Sequence, residues 1–400
     1  MMAALFAARG GARVALVERN EKLGKKLYIT GKGRCNLTNA AEMEEFQRSI
    51  FRNPRFMYAS FAQLDNRGVM ALIESQGVPL KVERGNRVFP QSDKSSDVIA
   101  ALRRALEKDG VSVRLNARVE ALLIEDGRCA GARLEGGETI RADAVILATG
   151  GLSYPSTGAT GDGHRLARDT GHAVTATLPA LVPIETVESW PGTLSGLSLK
   201  NVRLSAYAAG AKREKRVFSE MGEMLFTHFG ISGPLALTLS SVLPEDLSGV
   251  RFEIDLKPAL DEQTLDARLL RDFKAMSRKQ LITVMDGLAP HSLAEQLIKL
   301  SGLSPALPVN GVTAQQRAAL LKTIKAVPLR PRSLRGFNEA IVTRGGVSVK
   351  DINPSTMQSK RVEGMYFAGE LIDVDAATGG FNLQIAFSTG ALAGKSAAGA

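Results

Sequence analysis

Three short stretches combine glycine with polar side chains in a way that lets backbone come close to a ligand: GKGRCNLTN (31–39), AVILATGG (144–151) and AGELIDVDAATGGFNLQ (368–384). In the second, the apolar run 144–148 meets Thr149, Gly150 and Gly151, the pattern of a central parallel strand whose end reaches a ligand. In the third, Gly369 and Glu370 follow an apolar strand, and the Glu370 carboxylate can accept hydrogen bonds from a polyol. Gly379 and Gly380 then precede a helix, whose first N–H groups stabilise a pyrophosphate or the anionic edge of a reduced ring. Each stretch also has a plainer reading, with the glycines shaping a turn or Asn382 capping a helix. Three strand-to-glycine junctions on one chain, at ATGG, AGE and TGGFN, favour a bound dinucleotide.

Glu18 closes the β-rich run ARVALVERN, where a dinucleotide fold places the acid for the adenosine ribose. That acid lies about 20 residues after GxGxxG. Only 17 residues precede Glu18 and none form GxG, so the given start reads as truncated or misassigned, with the glycine turn and its strand upstream. The loop PSTGATGDGH (155–164) lacks the Lys-Ser/Thr ending of a nucleotide-hydrolysing phosphate loop. Asp162 or Thr160 is expected to cap the helix that follows. GxSxG is absent, so the serines have no triad context.

Composition removes other classes. Cys35 and Cys129 form no CxxC, and the four histidines have no metal-ligand spacing, so no metal is expected. No run approaches the roughly 18 apolar residues of a membrane span and no signal peptide is visible, which points to the cytoplasm. The net charge of +10 permits anionic partners. The densest basic cluster, KREKR at 212–216, lacks interleaved aromatics and reads as a solvated hairpin tip, so nucleic acid is not the expected partner.

The elements that position these residues form a split α/β architecture. Residues 3–9 read as a helix stopped by glycine, followed by a buried strand, and 96–108 as an amphipathic helix. VSVRL, VEALLIE and CAGARLE read as a β-meander. Residues 199–207 and 216–226 look like strands, and 261–288, 291–301 and 313–326 carry helical spacing. The assignment is 1–185 for the first part of the ligand domain, 186–255 with about 328–345 for a β-rich insertion, 256–327 for a helical cap, and 346–400 for the second part.

Four ordered blocks, KLGKKLYITGKGRCNLTN, VILATGGLSYPSTGATGDGH, EMLFTHFGISGP and MYFAGELIDVDAATGGFNLQIAFSTG, resemble the signatures of the BaiN-like flavoprotein family of NAD(P)/FAD-dependent oxidoreductases, also described as aminoacetone oxidase family FAD-binding enzymes. The resemblance spans nearly the whole chain. It implies a glutathione-reductase-like FAD domain, here without its N-terminal strand and GxGxxG, carrying an inserted β-barrel-like domain and a helical cap. By position, Glu18 resembles the ribose acid, and Lys25, Lys26, Gly31, Gly33, Arg34, Cys35 and Asn36 resemble the segment passing the diphosphate and flavin. Val119 resembles the position whose backbone meets the adenine. Gly369, Glu370 and Asp373 resemble the ribityl side. Gly380, Phe381, Asn382, Leu383 and Gln384 resemble the turn and helix start beneath the isoalloxazine.

The expectation is an FAD-dependent oxidoreductase acting on a small organic substrate, either reducing a C=C bond with a nicotinamide donor, NAD(P)H, or oxidising an amine. A nucleic-acid-modifying flavoprotein and a degenerate member without FAD are the alternatives. His228, Tyr154 and Cys35 are candidate proton-transfer groups among which the sequence does not choose.

Overall fold

The computed structural model describes residues 1–209 and 214–399. The chain forms two units, Met1–Ala180 with Phe337–Ala400, and Leu181–Gly336. Of the basic cluster expected as a hairpin tip at 212–216, Lys212 and Arg213 lie outside the described residues, and Lys215 and Arg216 open β13. Among the described residues no helix is long and apolar enough to cross a membrane.

The first unit opens with helix α1 (Met2–Arg9), and strand β1 (Ala15–Val17) follows. β1 is a short strand with exposed or half-buried side chains, where a buried one was expected. Helix α2 (Lys25–Ile29) precedes β2 (Thr38–Asn39), α3 (Met43–Ser49), α4 (Tyr58–Gln63) and α5 (Asn66–Ser75). Then come β3 (Leu80–Glu83), β4 (Arg87–Pro90) and α6 (Ser95–Lys108), with β2, β4 and β3 forming one small sheet. α6 buries Val98, Ala101, Leu102, Ala105 and Leu106, a helical stripe that seats it on the core.

The sequence VSVRL was expected to begin a meander. It forms β5 (Ser112–Arg114) and pairs in parallel with β1, Ala15 opposite Ser112. The reason is the connection: β5 follows a helix rather than a hairpin turn, and a helical crossover returns the chain parallel to its starting strand. The meander consists of β6 (Val119–Glu125), β7 (Arg128–Leu134) and β8 (Thr139–Arg141). After it come β9 (Val145–Leu147), α7 (Asp162–Asp169) and β10 (Leu178–Ala180).

The second unit begins with β11 (Ile184–Thr186), α8 (Trp190–Thr193), β12 (Ser198–Ala208), β13 (Lys215–Thr227), β14 (Gly230–Ser232) and α9 (Gly233–Val242). β15 (Val250–Asp255) leads to four helices, α10 (Glu262–Ala275), α11 (Leu281–Met285), α12 (His291–Leu300) and α13 (Ala314–Lys325), and then β16 (Val327–Leu329) and β17 (Pro331–Leu334). The seven strands run in the order β16-β15-β12-β13-β14-β11-β17. The two edge strands are thus joined by Arg330 alone, which brings the edges of the sheet together as in a barrel. β15 alternates, burying Val250, Phe252 and Ile254. Those residues share one apolar core with Leu265 and Leu269 of α10, Leu293 and Leu297 of α12, and Leu320 and Ile324 of α13, so barrel and helical cap are a single packed body. Asp261 caps α10 and a Thr313–Gln316 capping box starts α13.

The chain then returns to the first unit. β18 (Val342–Arg344) pairs antiparallel with β10, and β19 (Met365–Phe367) pairs in parallel with β9, Phe367 opposite Leu147. The last helix, α14 (Phe381–Ala398), packs along α1, and Phe381, Ile385 and Leu392 reach the core that also holds Phe367 and Leu147.

Candidate functional site

Because β9 and β19 are parallel neighbours, their C-terminal ends deliver Thr149-Gly150 and Gly369-Glu370 to the same edge of the first unit. Ligands of open α/β sheets bind at such strand ends. Gly150 and Gly369 have φ of 74° and 75°. A Cβ at either would touch only Ala159 at 3.9 Å or Ala386 at 3.7 Å, so one face of each turn is open. Thr149 packs against the start of α7, where a Cβ on Gly163 would overlap its hydroxyl.

Glu370 fastens three segments there. Its Oε1 accepts from Thr343 N and from Ser153 Oγ, both at 2.8 Å, and its Oε2 accepts from Lys26 Nζ at 3.3 Å. Lys26 also donates to Ser153 O at 2.9 Å and lies 5.6 Å from the Tyr154 ring centroid. Glu370→Ala would leave the Thr343 amide without its acceptor and take from the Lys26 ammonium its anionic partner, with Ser153 O remaining. It is expected to cost about 2–3 kcal/mol of stability, read as a lower urea midpoint, whereas an unchanged midpoint would show that the contacts are dispensable. Lys25 is turned aside to Glu21 at 3.0 Å and Asn20 at 3.4 Å.

GKGRCNLTN winds through a left-handed turn. Gly31, Lys32, Gly33 and Cys35 have φ of 62°, 58°, 84° and 60°. Arg34 anchors it by pairing with Glu83 and with Asp93, Nε to Oδ1 2.8 Å, while its guanidinium stacks 4.2 Å from the Phe89 centroid. Cys35 is fully buried and burial pushes its thiol up to about 12. It therefore stays a thiol at neutral pH and packs rather than transferring protons. Asn36, with its amide turned to satisfy its neighbours, donates to Thr38 O and accepts from Gly380 N at 3.0 Å. Thr38 Oγ1 donates to Gln384 Oε1 at 2.7 Å, and Gln384 Nε2 donates to Leu64 O and Ser388 Oγ. Phe381 is buried with its ring edge-on to Phe46, and Leu383 packs against the core around α1 and α6. The segment is thus docked on the start of α14, with the side chains of Arg34, Cys35, Asn36, Phe381 and Gln384 committed to scaffold.

Glu18 lies just past β1. Its Oε1 accepts from the backbone and side-chain nitrogens of Asn20, both at 2.8 Å. Ala117 N donates to Glu18 O at 2.9 Å, which brings Val119 at the start of β6 close by. Asp162 and Thr160 do not cap α7, whose N-cap is the left-handed Gly161. They serve two arginines instead: Arg19 bonds both, and Arg118 reaches Asp162 at 3.0 Å, holding its carboxyl below the usual range. A charge-assisted pair outcompetes a neutral backbone cap for the same carboxylate.

The strap 372–380 joins β19 to α14. Asp373 accepts from Arg52 Nε at 3.2 Å, and its carbonyl accepts from Asn53 Nδ2 at 2.7 Å. Asn382 spends its side chain on Ala376 N, Ala376 O and Ala377 O, so it ties the strap to the first turn of the helix. Asn39 Nδ2 donates to Gly379 O at 3.0 Å. Gly380, with φ of 101°, opens α14, which no side chain caps. Its first amides, near Lys26 in neither sequence nor hydrogen bonding, form a second source of positive potential in the unit.

Sequence reasoning missed Ser153, Thr343, Arg52 and Asp375. Asp375 is 1% exposed, neither of its oxygens has a partner, and burial pushes its carboxyl up to about 7. The signal was the second acid of DVD inside an otherwise apolar strap. His228 belongs to the other unit, exposed on the turn between β13 and β14 and edge-on to Phe229. Tyr154 adopts φ of 52° beside Lys26.

The family description "HI0933-like protein Rossmann domain" matches residues 1–396. The chain is 31% identical to the 3-dehydro-bile acid delta(4,6)-reductase of Clostridium scindens, over 100% of this chain and 96% of that one. It is 29% identical to the ribosomal RNA dihydrouridine synthase of Escherichia coli, over 97% of this chain and 93% of that one. In fold it is similar to 3-ketosteroid delta1-dehydrogenase from Sterolibacterium denitrificans, with a TM-score of 0.52 at 14% identity, covering 100% of this chain and 97% of that one.

Proposed function

The chain belongs to the HI0933-like Rossmann-domain family and is an FAD-dependent oxidoreductase, and we propose that it reduces a C=C bond conjugated to a carbonyl group. The observation that carries this reading is the chemistry common to two relatives that match almost end to end. A 3-dehydro delta(4,6) bile acid and a uridine base each present an alkene conjugated to a carbonyl, and both names describe its saturation. Amine oxidation, the other option open from sequence, has no such support.

The first unit fits the cofactor on its own geometry: the open faces of Gly150 and Gly369, and the uncapped start of an 18-residue helix. Flavin, when bound, supplies the hydride-carrying ring. Glu18 and the backbone at Val119 would hold the adenosine end. Lys26, Gly150, Gly369 and Glu370 would line the middle, and the turn at Gly380 would lie under the ring, where the amides of α14 favour negative charge. Arg34, Cys35, Asn36, Asn382 and Gln384 keep those backbones in place. Thr149 and Asp373 brace the two strand-end loops.

A second reading makes the alkene a base in RNA. It is favoured by the +10 charge together with the exposed basic residues Lys200, Arg203, Lys215 and Arg216 on β12 and β13. One experiment separates the two. The FAD-loaded chain, reduced anaerobically, is mixed in single turnover with a 3-oxo-Δ4 steroid and with a uridine-bearing ribosomal RNA fragment. Oxidation of the flavin by either, with a product two hydrogens heavier, supports alkene reduction and names the substrate class. No oxidation by either, with rapid oxidation by an added quinone as control, removes the proposal.

A further inference from the structure

Among the described residues, Asp375 is the carboxylate whose two oxygens are both buried and both without a hydrogen-bond partner. Its surroundings are otherwise well bonded. Phe51 N donates to its carbonyl at 2.9 Å, Ala377 N to Ser49 O at 2.9 Å, and Asp373 N to Val347 O at 3.0 Å. Asn382 grips the next two residues and belongs to the first turn of α14. The strap around Asp375 is therefore fixed on both sides while its carboxyl is not. An ionised carboxylate in such a place carries a large desolvation cost, and a protonated one a far smaller cost.

The charged groups facing it are Arg52 from the 50–53 turn, Arg344 at the end of β18, and Asp373 on its own strap. Arg52 is engaged with Asp373 at 3.2 Å. Arg52 thus pairs with one carboxylate of the strap while a second, two residues on, is buried and unpaired.

We propose that Asp375 is a positioning residue that works as a neutral acid: protonated, it leaves the 372–380 strap seated beneath the start of α14; ionised, it draws Arg52 from Asp373 and loosens the strap, so FAD binding is linked to uptake of one proton. This rests on the reading that the start of α14 helps hold FAD. Burial pushes the Asp375 carboxyl up to about 7, so the exchange falls in the neutral range. In the step itself the O–H bond of the carboxyl breaks, the proton leaves to solvent, and no electrons are exchanged.

The test uses the full chain and FAD itself. Fluorescence titrations at about pH 6 and about pH 8 are expected to show roughly tenfold weaker FAD binding at the higher pH for a one-proton linkage, and Asp375→Asn is expected to bind equally at both. The same pH dependence in the wild type and in Asp375→Asn would overturn the proposal. Infrared difference spectra of the FAD-free wild type give a readout that does not need the variant to fold. The protonated-carboxyl C=O stretch should vanish across the same range, and a carboxylate signal at both pH values would overturn the proposal. A titrating carboxyl in a chain that binds no FAD at either pH sinks the FAD reading, and with it the linkage, while leaving the titration itself standing.

Discussion

Replacing Gly380 by alanine is expected to destabilise the first unit by about 3 kcal/mol or more and to abolish measurable FAD binding. Gly380 has φ of 101°, a conformation costly for any L side chain. A Cβ there would lie 2.3 Å from Thr38 O and 2.4 Å from Thr38 C, and these backbone atoms cannot swing aside. Relief requires α14 to move off the 36–38 segment. That movement breaks the contact from Gly380 N to Asn36 and the pair between Thr38 and Gln384. Thermal melting and an FAD titration of the same preparation check both halves, and a variant that melts and binds like the wild type would show that the turn is not under this constraint.

The second large effect is on the pH dependence of stability. Asp375 has its folded value raised to about 7, against about 3.9 in an unfolded chain. The sign follows from proton counting. Between those values the folded state holds a proton that the unfolded state has lost, so stability falls as pH rises from about 4 to about 7 and is level above. Between about pH 5 and about pH 8 the loss amounts to about 3 kcal/mol. Asp375→Asn removes the titrating group, so the gap between variant and wild type should widen in the variant's favour by about that amount. For a unit of this size that is roughly 5–10 °C in melting temperature. Parallel curves for the two proteins would contradict it.

What the sequence made legible was local. Strand-end glycines at 150 and 369, the turn at 379–380 and the helix stripe of α6 are signalled by neighbours a few residues away, and the fold class followed from them together with the block resemblance. The misplacement of β5 has the same origin in reverse. A short strand preceding two hairpin strands looks like their partner unless the helix before it is weighed. Roles that depend on distant partners were not visible. Arg34 meets Glu83 and Asp93, and Gln384 meets Thr38, 346 positions away. Nothing local to Arg34 or Gln384 reveals these partners, and the resemblance alone placed both beside the cofactor. Asp162 looked like a cap because Arg19 and Arg118 lie about 140 and 40 positions from it. Asp375 escaped notice because an acid in a glycine-rich loop is normally solvated, and only burial without a partner sets it apart.

On the proposed reading, the strand ends of β9 and β19 and the start of α14 together hold one flavin. The direct measurement is the visible absorption spectrum of the purified full chain after incubation with excess FAD and removal of unbound cofactor. Flavin bands at about one FAD per chain are expected, and they should be lost in Gly380→Ala. A wild-type chain that emerges colourless, though folded by circular dichroism, would contradict it.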